Sequence, residues 1–259
     1  MPSQVALVTA SSAGLGAACV KALAPHFRVV VNYYSRPEKA EEVMREAALL
    51  APLYPHNEAT DGPRFVALQA DVGDRASVQR LVQQSVDAMG RLDVVVSNAG
   101  WTRITDFMDL DDQVNEDDWD RCYNVNVKAH MWLLYAAKPH LERNEDTKGS
   151  FVTIASLAGV RPSGSSVPYA VSKAAAIHLT RCLALVCGKS GVRCNAVSPG
   201  LLLTEWGQRF SAEQIQDAVG KTALGRVASV EDVAEQVKAL ALSRSITGQN
   251  IVIDGGIAL

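Results

Sequence analysis

The sequence lacks the features that mark membrane-spanning, secreted and nucleic-acid-binding proteins. None of its uninterrupted apolar runs approaches the roughly 20 residues that a helix needs to cross a bilayer. The formal net charge of −3 gives no overall attraction for nucleic acid or for an anionic membrane. The amino-terminal segment MPSQVALVTA carries no basic region of the kind that begins a signal peptide. We therefore expect a cytoplasmic protein with neither nucleic acid nor membrane as a partner.

Cysteine and histidine are too few and too scattered to build a disulfide framework or a metal centre. The five cysteines are odd in number, and no two have the spacing of a CxxC motif. The five histidines do not cluster, and no HxxxH pattern suggests a set of metal ligands. We expect no metal site, and we interpret the cysteines as small buried apolar residues in a reducing compartment.

Apolar runs rich in β-branched residues alternate with amphipathic segments of helical length. Strands are predicted at 5–9, 28–32, 64–70, 92–97, 150–155, 193–198 and 251–254. Helices are predicted at 14–24, 39–50, 77–89, 119–142 and 168–187, and a long surface loop at 51–63. Nearly continuous apolar strands between helices indicate a parallel sheet that is buried on both faces. The predicted fold is one doubly wound α/β Rossmann domain over residues 1–259, with a seven-stranded parallel sheet.

The segment VALVTASSAGLG, residues 5–16, nearly matches the glycine-rich turn that holds a dinucleotide. Gly14 and Gly16 occupy the two later positions, and Ala10 stands where the pattern has its first glycine. Alanine fits that position if its φ stays negative. The hydroxyls of Ser11 and Ser12, together with amides of the following helix, are suited to donate to phosphate. Taken alone, the loop is equally compatible with a plain strand–turn–helix corner.

Further motifs follow the later strands in order along the chain. They are Ser97-Asn98-Ala99-Gly100 after the fourth strand, Ser156 after the fifth, Tyr169 and Lys173 one helical turn apart, and Pro199-Gly200 with Thr204 after the sixth. This ensemble resembles the short-chain dehydrogenase/reductase family in its single-domain branch. The resemblance covers nearly the whole chain, from Val5 to the terminal Asp254-Gly255-Gly256.

The resemblance implies a catalytic set of Asn126, Ser156, Tyr169 and Lys173. In this family the tyrosine is the general acid in carbonyl reduction and the general base in alcohol oxidation. The serine donates a hydrogen bond to the substrate oxygen, and the asparagine kinks its helix and holds a proton-relay water. The lysine binds the nicotinamide ribose, and its charge is expected to favour the phenolate of the tyrosine. Asn124 is a second, weaker candidate for the asparagine role.

The resemblance also implies a nicotinamide cofactor, held by residues from several turns at one edge of the sheet. The expected cofactor-binding residues are Thr9, Ser11, Ser12, Gly14, Leu15, Gly16, Ser35, Arg36, Asp71, Val72, Asn98, Ala99, Gly100, Tyr169, Lys173, Pro199, Gly200 and Thr204. Among them, Asp71 is expected to accept a hydrogen bond from the exocyclic amine of adenine.

The end of the second strand bears on the choice between NADP(H) and NAD(H). An NAD-preferring site normally has an acid there, and none occurs before Glu38. Ser35 and Arg36 stand there instead and are suited to bind a 2′-phosphate, with Arg36 as the one cation in place. Ala13 argues the other way, because NADP-preferring relatives often have a basic residue at its position. We predict NADP(H), with NAD(H) as the alternative.

Substrate recognition in this family depends on the segment after Pro199-Gly200, here 201–224. The segment opens with three leucines, carries few charges, and contains Trp206, Arg209 and Phe210. We expect a mainly apolar, medium-sized ketone or secondary alcohol, with Trp101 and Trp206 as candidates to line its site. Two other classes stay open: a lyase, isomerase or cyclase on the same fold, and a cofactor-sensing protein without turnover. The intact catalytic set argues against the last.

The resemblance further implies a homo-oligomer, either a tetramer or a dimer. Relatives usually pair the helices predicted here at 119–142 and 168–187 across a two-fold axis. The terminal Ile257-Ala258-Leu259 is apolar and is expected at a second interface.

Overall fold

The computed structural model describes residues 4–50, 62–143 and 149–259, and the predicted loop at 51–63 lies almost wholly outside these ranges. Its strands are β1 Val5–Val8, β2 Arg28–Tyr33, β3 Phe65–Gln69, β4 Val94–Ser97, β5 Ser150–Ile154, β6 Arg193–Pro199 and β7 Asn250–Ile253. They form one seven-stranded parallel sheet in the order β3-β2-β1-β4-β5-β6-β7. The predicted strands are confirmed, each to within two residues at either end.

The helices differ more from the prediction. They are α1 Gly14–Leu23, α2 Pro37–Leu49, α3 Arg75–Met89, α4 Glu116–Tyr123, α5 Ala129–Leu141, α6 Val167–Gly188, α7 Ala212–Gly220 and α8 Val230–Leu242. The single helix predicted at 119–142 is wrong in detail, because a π-helical turn, Asn124–Lys128, separates α4 from α5. Helices α7 and α8 were not predicted, although each begins with a serine capping box.

Both faces of the sheet are covered by helices, which makes the fold a doubly wound Rossmann fold. Alternate strand residues face opposite layers: Ala6 and Val8 pack with α1, α2 and α8, whereas Val5 and Leu7 pack with α3, α5 and α6. Four of the cysteines are buried, but Cys182 is exposed, so the expectation that all five are buried is wrong for that residue.

The helix α6 is long and apolar enough, by length and composition, to cross a membrane. In this fold it packs against β6 and contributes Leu183, Ala184 and Cys187 to the core. We therefore interpret α6 as a core helix.

The chain enters the sheet at β1 and moves outward through β2 and β3, then returns to the other side of β1 at β4. This reversal of strand order opens a crevice at the carboxyl ends of β1 and β4. Ligands of open parallel sheets bind at such switch points. The motifs that follow these strands are therefore placed around one crevice.

Ala10, at the end of β1, departs from the expected conformation. Its φ is +49°, in the left-handed region, so the condition under which alanine fits this turn without strain is not met. The Asn32 side chain accepts from the Ala10 amide at 2.9 Å, and the Asn98 side chain donates to the Ala10 carbonyl at 3.1 Å. Contacts from two neighbouring strand ends thus hold the peptide groups of the turn, and the alanine adopts a conformation that costs about 1–2 kcal/mol.

Replacing Ala10 by glycine should raise the free energy of unfolding by about 0.5–1 kcal/mol. Relief of left-handed strain exceeds the entropy that glycine adds to the unfolded chain. Ala10 is exposed, so losing its methyl group removes little packing. Urea denaturation followed by circular dichroism measures the change. Ala13→Gly is the matched control, since Ala13 has extended backbone and offers no strain to relieve. An Ala10→Gly variant that is no more stable than wild type would contradict the presence of backbone strain at Ala10.

Candidate active site

Two adjoining pockets open at the carboxyl ends of the strands, with volumes of about 680 Å³ and about 340 Å³. The turn after β4 lines both of them through Gly100 and Trp101. The larger pocket also contains the predicted residues Leu15, Asn98, Ser156, Tyr169, Lys173, Pro199, Gly200 and Thr204. The smaller contains Ser12, Ser35, Arg36, Asp71, Val72 and Ala99. The structure thus brings most of the predicted site residues together.

Ser156 and Tyr169 are placed beside each other by the ends of two elements. Ser156 follows β5 and accepts from the Ala158 amide at 3.1 Å, which caps the short 3₁₀ helix Leu157–Gly159. Tyr169 lies in the first turn of α6, where its amide donates to Ser166 at 3.3 Å. Burial raises the pKa of the Tyr169 phenol, and a hydrogen bond with Ser156 lowers it by less. The phenol therefore keeps its proton at neutral pH.

Lys173 lies one turn further along α6, with its ammonium group among the strand ends. It is 3% exposed, and its Nζ donates to the Ile154 carbonyl at 2.8 Å. Burial lowers the pKa of Lys173 to about 8. Its Nζ lies 5.7 Å from the centre of the Tyr169 ring. Burial is the largest influence on the pKa of Tyr169 and raises it, and the expected effect of the Lys173 charge on the phenolate stays a prediction.

Asn126 is fixed beside the turn that follows β4. It lies in the π-helical turn between α4 and α5, and it is fully buried. Its Oδ1 accepts from the Trp101 amide at 2.8 Å, and its Nδ2 donates to the Trp101 carbonyl at 2.9 Å and to Ser172 at 2.9 Å. Asn124, the weaker candidate, instead donates to a backbone carbonyl after β3 at 2.8 Å. Of the two, Asn126 is the one in contact with the turn that lines both pockets.

The first turn of α1 is suited to a negatively charged ligand. Its N-cap is Ala13, and among the described residues no side chain caps this end and no acid stands in the first turn. Amides at a helix N-terminus carry partial positive charge and attract phosphate. Gly16 permits close packing of the turn, since a Cβ there would lie 2.5 Å from the Ala10 carbonyl oxygen and 2.7 Å from the Asn98 side-chain nitrogen. Gly14 has a φ of +54°, which glycine adopts without strain.

Ser11 and Thr9, both predicted to bind cofactor, are fully buried behind the loop. The Ser11 hydroxyl donates to a β1 carbonyl at 2.7 Å and accepts from the Asn32 amide at 3.1 Å. The Thr9 hydroxyl accepts from the Asn98 amide at 2.9 Å. The expectation that the Ser11 hydroxyl donates to phosphate is therefore wrong, because both hydroxyls hold neighbouring turns in place. Ser12, by contrast, lines the smaller pocket.

Arg36 belongs to a cluster of three charged side chains. Its Nη1 lies 3.1 Å from Oε2 of Glu205, and the other carboxylate oxygen of Glu205 pairs with Lys39. Lys39 and then Arg36 hold the pKa of Glu205 below its ordinary value. The expectation that Arg36 is the one cation at this position is wrong, because Lys39 in the first turn of α2 contacts the same carboxylate.

Apolar and aromatic side chains form much of the wall of the larger pocket. They are Trp101, Phe107, Leu201, Leu202, Trp206, Phe210 and Ile257. The rings of Trp206 and Phe210 meet edge to face, with centres 5.4 Å apart. Trp101 and Trp206 line the pocket as predicted. Ile257, which the sequence analysis placed at a subunit interface, lines the pocket in this chain.

Two arginines at the pockets were missed by the sequence analysis. Arg161 lines the larger pocket and donates to the Ile257 carbonyl at 2.7 Å. Arg121 lines the smaller pocket and lies over the Trp101 ring, 4.6 Å from its centre. An isolated arginine gives no local signal of such a position, because most are solvated. Within the residues the structure describes, no group of three or more His, Cys, Asp or Glu side chains could hold a metal ion.

Comparison with known sequences agrees with this geometry. The sequence model of a family described as enoyl-(acyl carrier protein) reductase matches residues 9–258. A protein of Streptomyces violaceoruber, assigned as ketoacyl reductase 2 of the granaticin polyketide synthase, is 41% identical over 255 residues, 97% of this chain and 95% of the relative. The 3-oxoacyl-acyl-carrier-protein reductase of Staphylococcus aureus is 31% identical over 254 residues, 97% of this chain and 96% of the relative.

Solved structures match over nearly the full length. A short chain dehydrogenase from Burkholderia cenocepacia J2315, in complex with NADP, is 33% identical with a TM-score of 0.86 and covers 100% of this chain and 99% of its own. A 7α-hydroxysteroid dehydrogenase, in complex with NADH and 7-oxo glycochenodeoxycholic acid, is 26% identical with a TM-score of 0.85 and covers 98% and 94%. With the parallel sheet and the residues at its carboxyl edge, these matches show that the chain belongs to the short-chain dehydrogenase/reductase family, oxidoreductases that use a nicotinamide cofactor.

Proposed function

We propose that this chain is an NADP(H)-dependent oxidoreductase that transfers hydride between the nicotinamide and a ketone or secondary alcohol. The observation that carries the proposal is the convergence of Ser156, Tyr169 and Lys173 on one apolar pocket. In this proposal the whole chain, 1–259, is one dinucleotide-binding and catalytic domain, and the segment 201–224 selects the substrate.

The residues at the two pockets fit a dinucleotide. The uncapped N-terminus of α1 is suited to the pyrophosphate, and Asp71 and Val72 line the smaller pocket, to which we assign the adenosine. A side chain at Gly100 would crowd two of the candidate site residues, since a Cβ there would lie 3.3 Å from the Lys173 Nζ and 3.4 Å from the Asn126 Oδ1. When bound, the cofactor donates or accepts the hydride.

Side chains of the larger pocket supply the proton that the substrate oxygen takes up in carbonyl reduction. Tyr169 donates its proton to the carbonyl oxygen of the substrate, while Ser156 donates a hydrogen bond to the same atom and polarises it. Lys173 binds the ribose hydroxyls and keeps positive charge near the phenol. Asn126 holds the turn of Gly100 in place.

The substrate that this pocket fits best is a mainly apolar, medium-sized carbonyl compound. The wall carries aromatic rings from two segments of the chain, Trp101 after β4 and Trp206 with Phe210 after β6. Relatives named as a ketoacyl reductase and as a hydroxysteroid dehydrogenase support chemistry between carbonyl and alcohol.

The choice of NADP(H) over NAD(H) rests on the positive charges near the end of β2. Arg36 and Ser35 line the smaller pocket, and Lys39 adds a second cation. A 2′-phosphate carries close to two negative charges and favours such a site. One related structure holds NADP and another NADH, so the family as a whole leaves both cofactors open.

Purified protein should oxidise NADPH in step with reduction of an apolar ketone. Tyr169→Phe should lower kcat by about a hundredfold or more, because the proton donor is lost. Calorimetry should give nearly the same NADPH Kd for both proteins. Tyr135→Phe, an exposed position on α5, is the control and should stay active. Activity of Tyr169→Phe within tenfold of wild type would contradict the proton-donor role. Wild type that consumes no NADPH with any ketone would favour a non-redox reaction.

Carbonyl reduction should slow as the pH rises through about 8. Lys173 is cationic below its pKa of about 8 and neutral above it, whereas Tyr169 keeps its proton because its pKa is raised. The measurement is kcat/KM across neutral and alkaline pH. Lys173→Arg should move the fall to higher pH, since a guanidinium stays charged there. A wild-type profile that stays level well above pH 8 would refute the role of this charge.

We also propose that the protein is a cytoplasmic homodimer or homotetramer that associates through α5 and α6. Leu185 and Val186 on α6 are 82% and 70% exposed, which supports an apolar contact between copies. Light scattering at micromolar concentration should give two or four times the mass of one chain, and Leu185→Asp should shift the protein toward the monomer. A monomeric mass for wild type would reject the proposal.

A further inference from the structure

Glu205 connects the two regions that bind cofactor and substrate in the proposed function. It lies between Thr204 and Trp206, both of which line the larger pocket. Its carboxylate contacts Arg36, which lines the smaller pocket, and Lys39 in α2. The segment that follows β6 is therefore tied by charge to the loop that follows β2.

The contact is well formed for a group at the surface. Each carboxylate oxygen has its own base, Arg36 Nη1 on Oε2 and Lys39 on Oε1. The side chains of Arg36, Lys39 and Glu205 are 42%, 34% and 64% exposed, so both ion pairs are accessible to solvent and to ligands. Exposed ion pairs are weak, which makes this one displaceable by a stronger anion.

We propose that Glu205 is a specificity-determining residue, because its carboxylate competes with the 2′-phosphate of NADP(H) for Arg36 and Lys39. The inference rests on the proposed function in assigning the smaller pocket to the adenosine. A 2′-phosphate carries more charge and more acceptor oxygens than a carboxylate, so it displaces Glu205 at some loss of affinity. The 2′-hydroxyl of NAD(H) needs no cation and meets no such competition. Glu205 thus reduces the difference in affinity between NADP(H) and NAD(H).

The test measures how much the 2′-phosphate contributes to nucleotide binding, independently of catalysis. Isothermal titration gives Kd for adenosine 2′,5′-bisphosphate and for 5′-AMP at one fixed ionic strength, since salt screens such pairs. We define the 2′-phosphate preference as the Kd for 5′-AMP divided by the Kd for adenosine 2′,5′-bisphosphate. Glu205→Gln should raise this preference about threefold to tenfold, the scale set by the loss of two exposed ion pairs.

Glu46→Gln is the matched control. Glu46 lies on α2 and forms an exposed ion pair with Lys21 at 2.6 Å, away from the cluster of Arg36, Lys39 and Glu205. This variant should leave the 2′-phosphate preference as it is in wild type. Equal preferences in wild type and Glu205→Gln would overturn the inference, as would an equal rise in both variants.

Arg36→Ala, measured beside wild type and Glu205→Gln, distinguishes a failure of the inference about Glu205 from a failure of the proposed NADP(H) preference. If NADP(H) is the cofactor, wild type has a 2′-phosphate preference and Arg36→Ala loses most of it. If wild type has none and Glu205→Gln acquires one, the proposed NADP(H) preference fails while the role of Glu205 stands. If neither wild type nor Glu205→Gln shows any preference, both proposals fail. Thermal melting of each variant confirms that it is folded.

Discussion

The buried ammonium group of Lys173 is the constraint on which the active site depends. A buried cation is costly unless it is hydrogen bonded, and the partner of Lys173 is the Ile154 carbonyl at the end of β5. This contact fixes α6 against the strand from which Ser156 emerges. Tyr169, on the same face of α6 and one turn earlier, is then brought to Ser156. One hydrogen bond from helix to strand end therefore helps to position the three groups to which the proposed function assigns the chemistry.

A second network holds the turns after β1 and β4 together. Asn98 donates to the Thr9 and Ala10 carbonyls at 3.0 and 3.1 Å, and Asn32 accepts from the Ala10 amide. Gly16 lets these groups approach more closely than any side chain would allow. Backbone strain persists where the surroundings over-determine a conformation, and Ala10 is such a place. The turn held by these contacts lines the smaller pocket through Ala10, Ser12 and Ala13.

The sheet was predictable because its signals are local, and the roles of the candidate catalytic residues came from the resemblance to the family. Apolar strands between amphipathic helices specify a parallel sheet wherever they occur, and Tyr169 and Lys173 share a helix face by their spacing alone. The φ of Ala10 could not be predicted from the local sequence, because side chains from two other strand ends hold its peptide groups. Helix α8 was missed although Ser229 and Asp232 form a capping box, a signal that the sequence does carry.

The loop after β2 shows most clearly what the local sequence alone does not reveal. Arg36 beside Ser35 suggests a free cation, and a free cation would face the 2′-phosphate with its full charge. In the fold, two bases and one acid meet at that place, and the acid comes from a segment 169 residues away along the chain. The field that a phosphate meets there is the sum of all three charges, screened by solvent at a half-exposed position. The electrostatic environment at the end of β2 is therefore a property of the contact between two loops, and the residues of either loop alone are insufficient to define it.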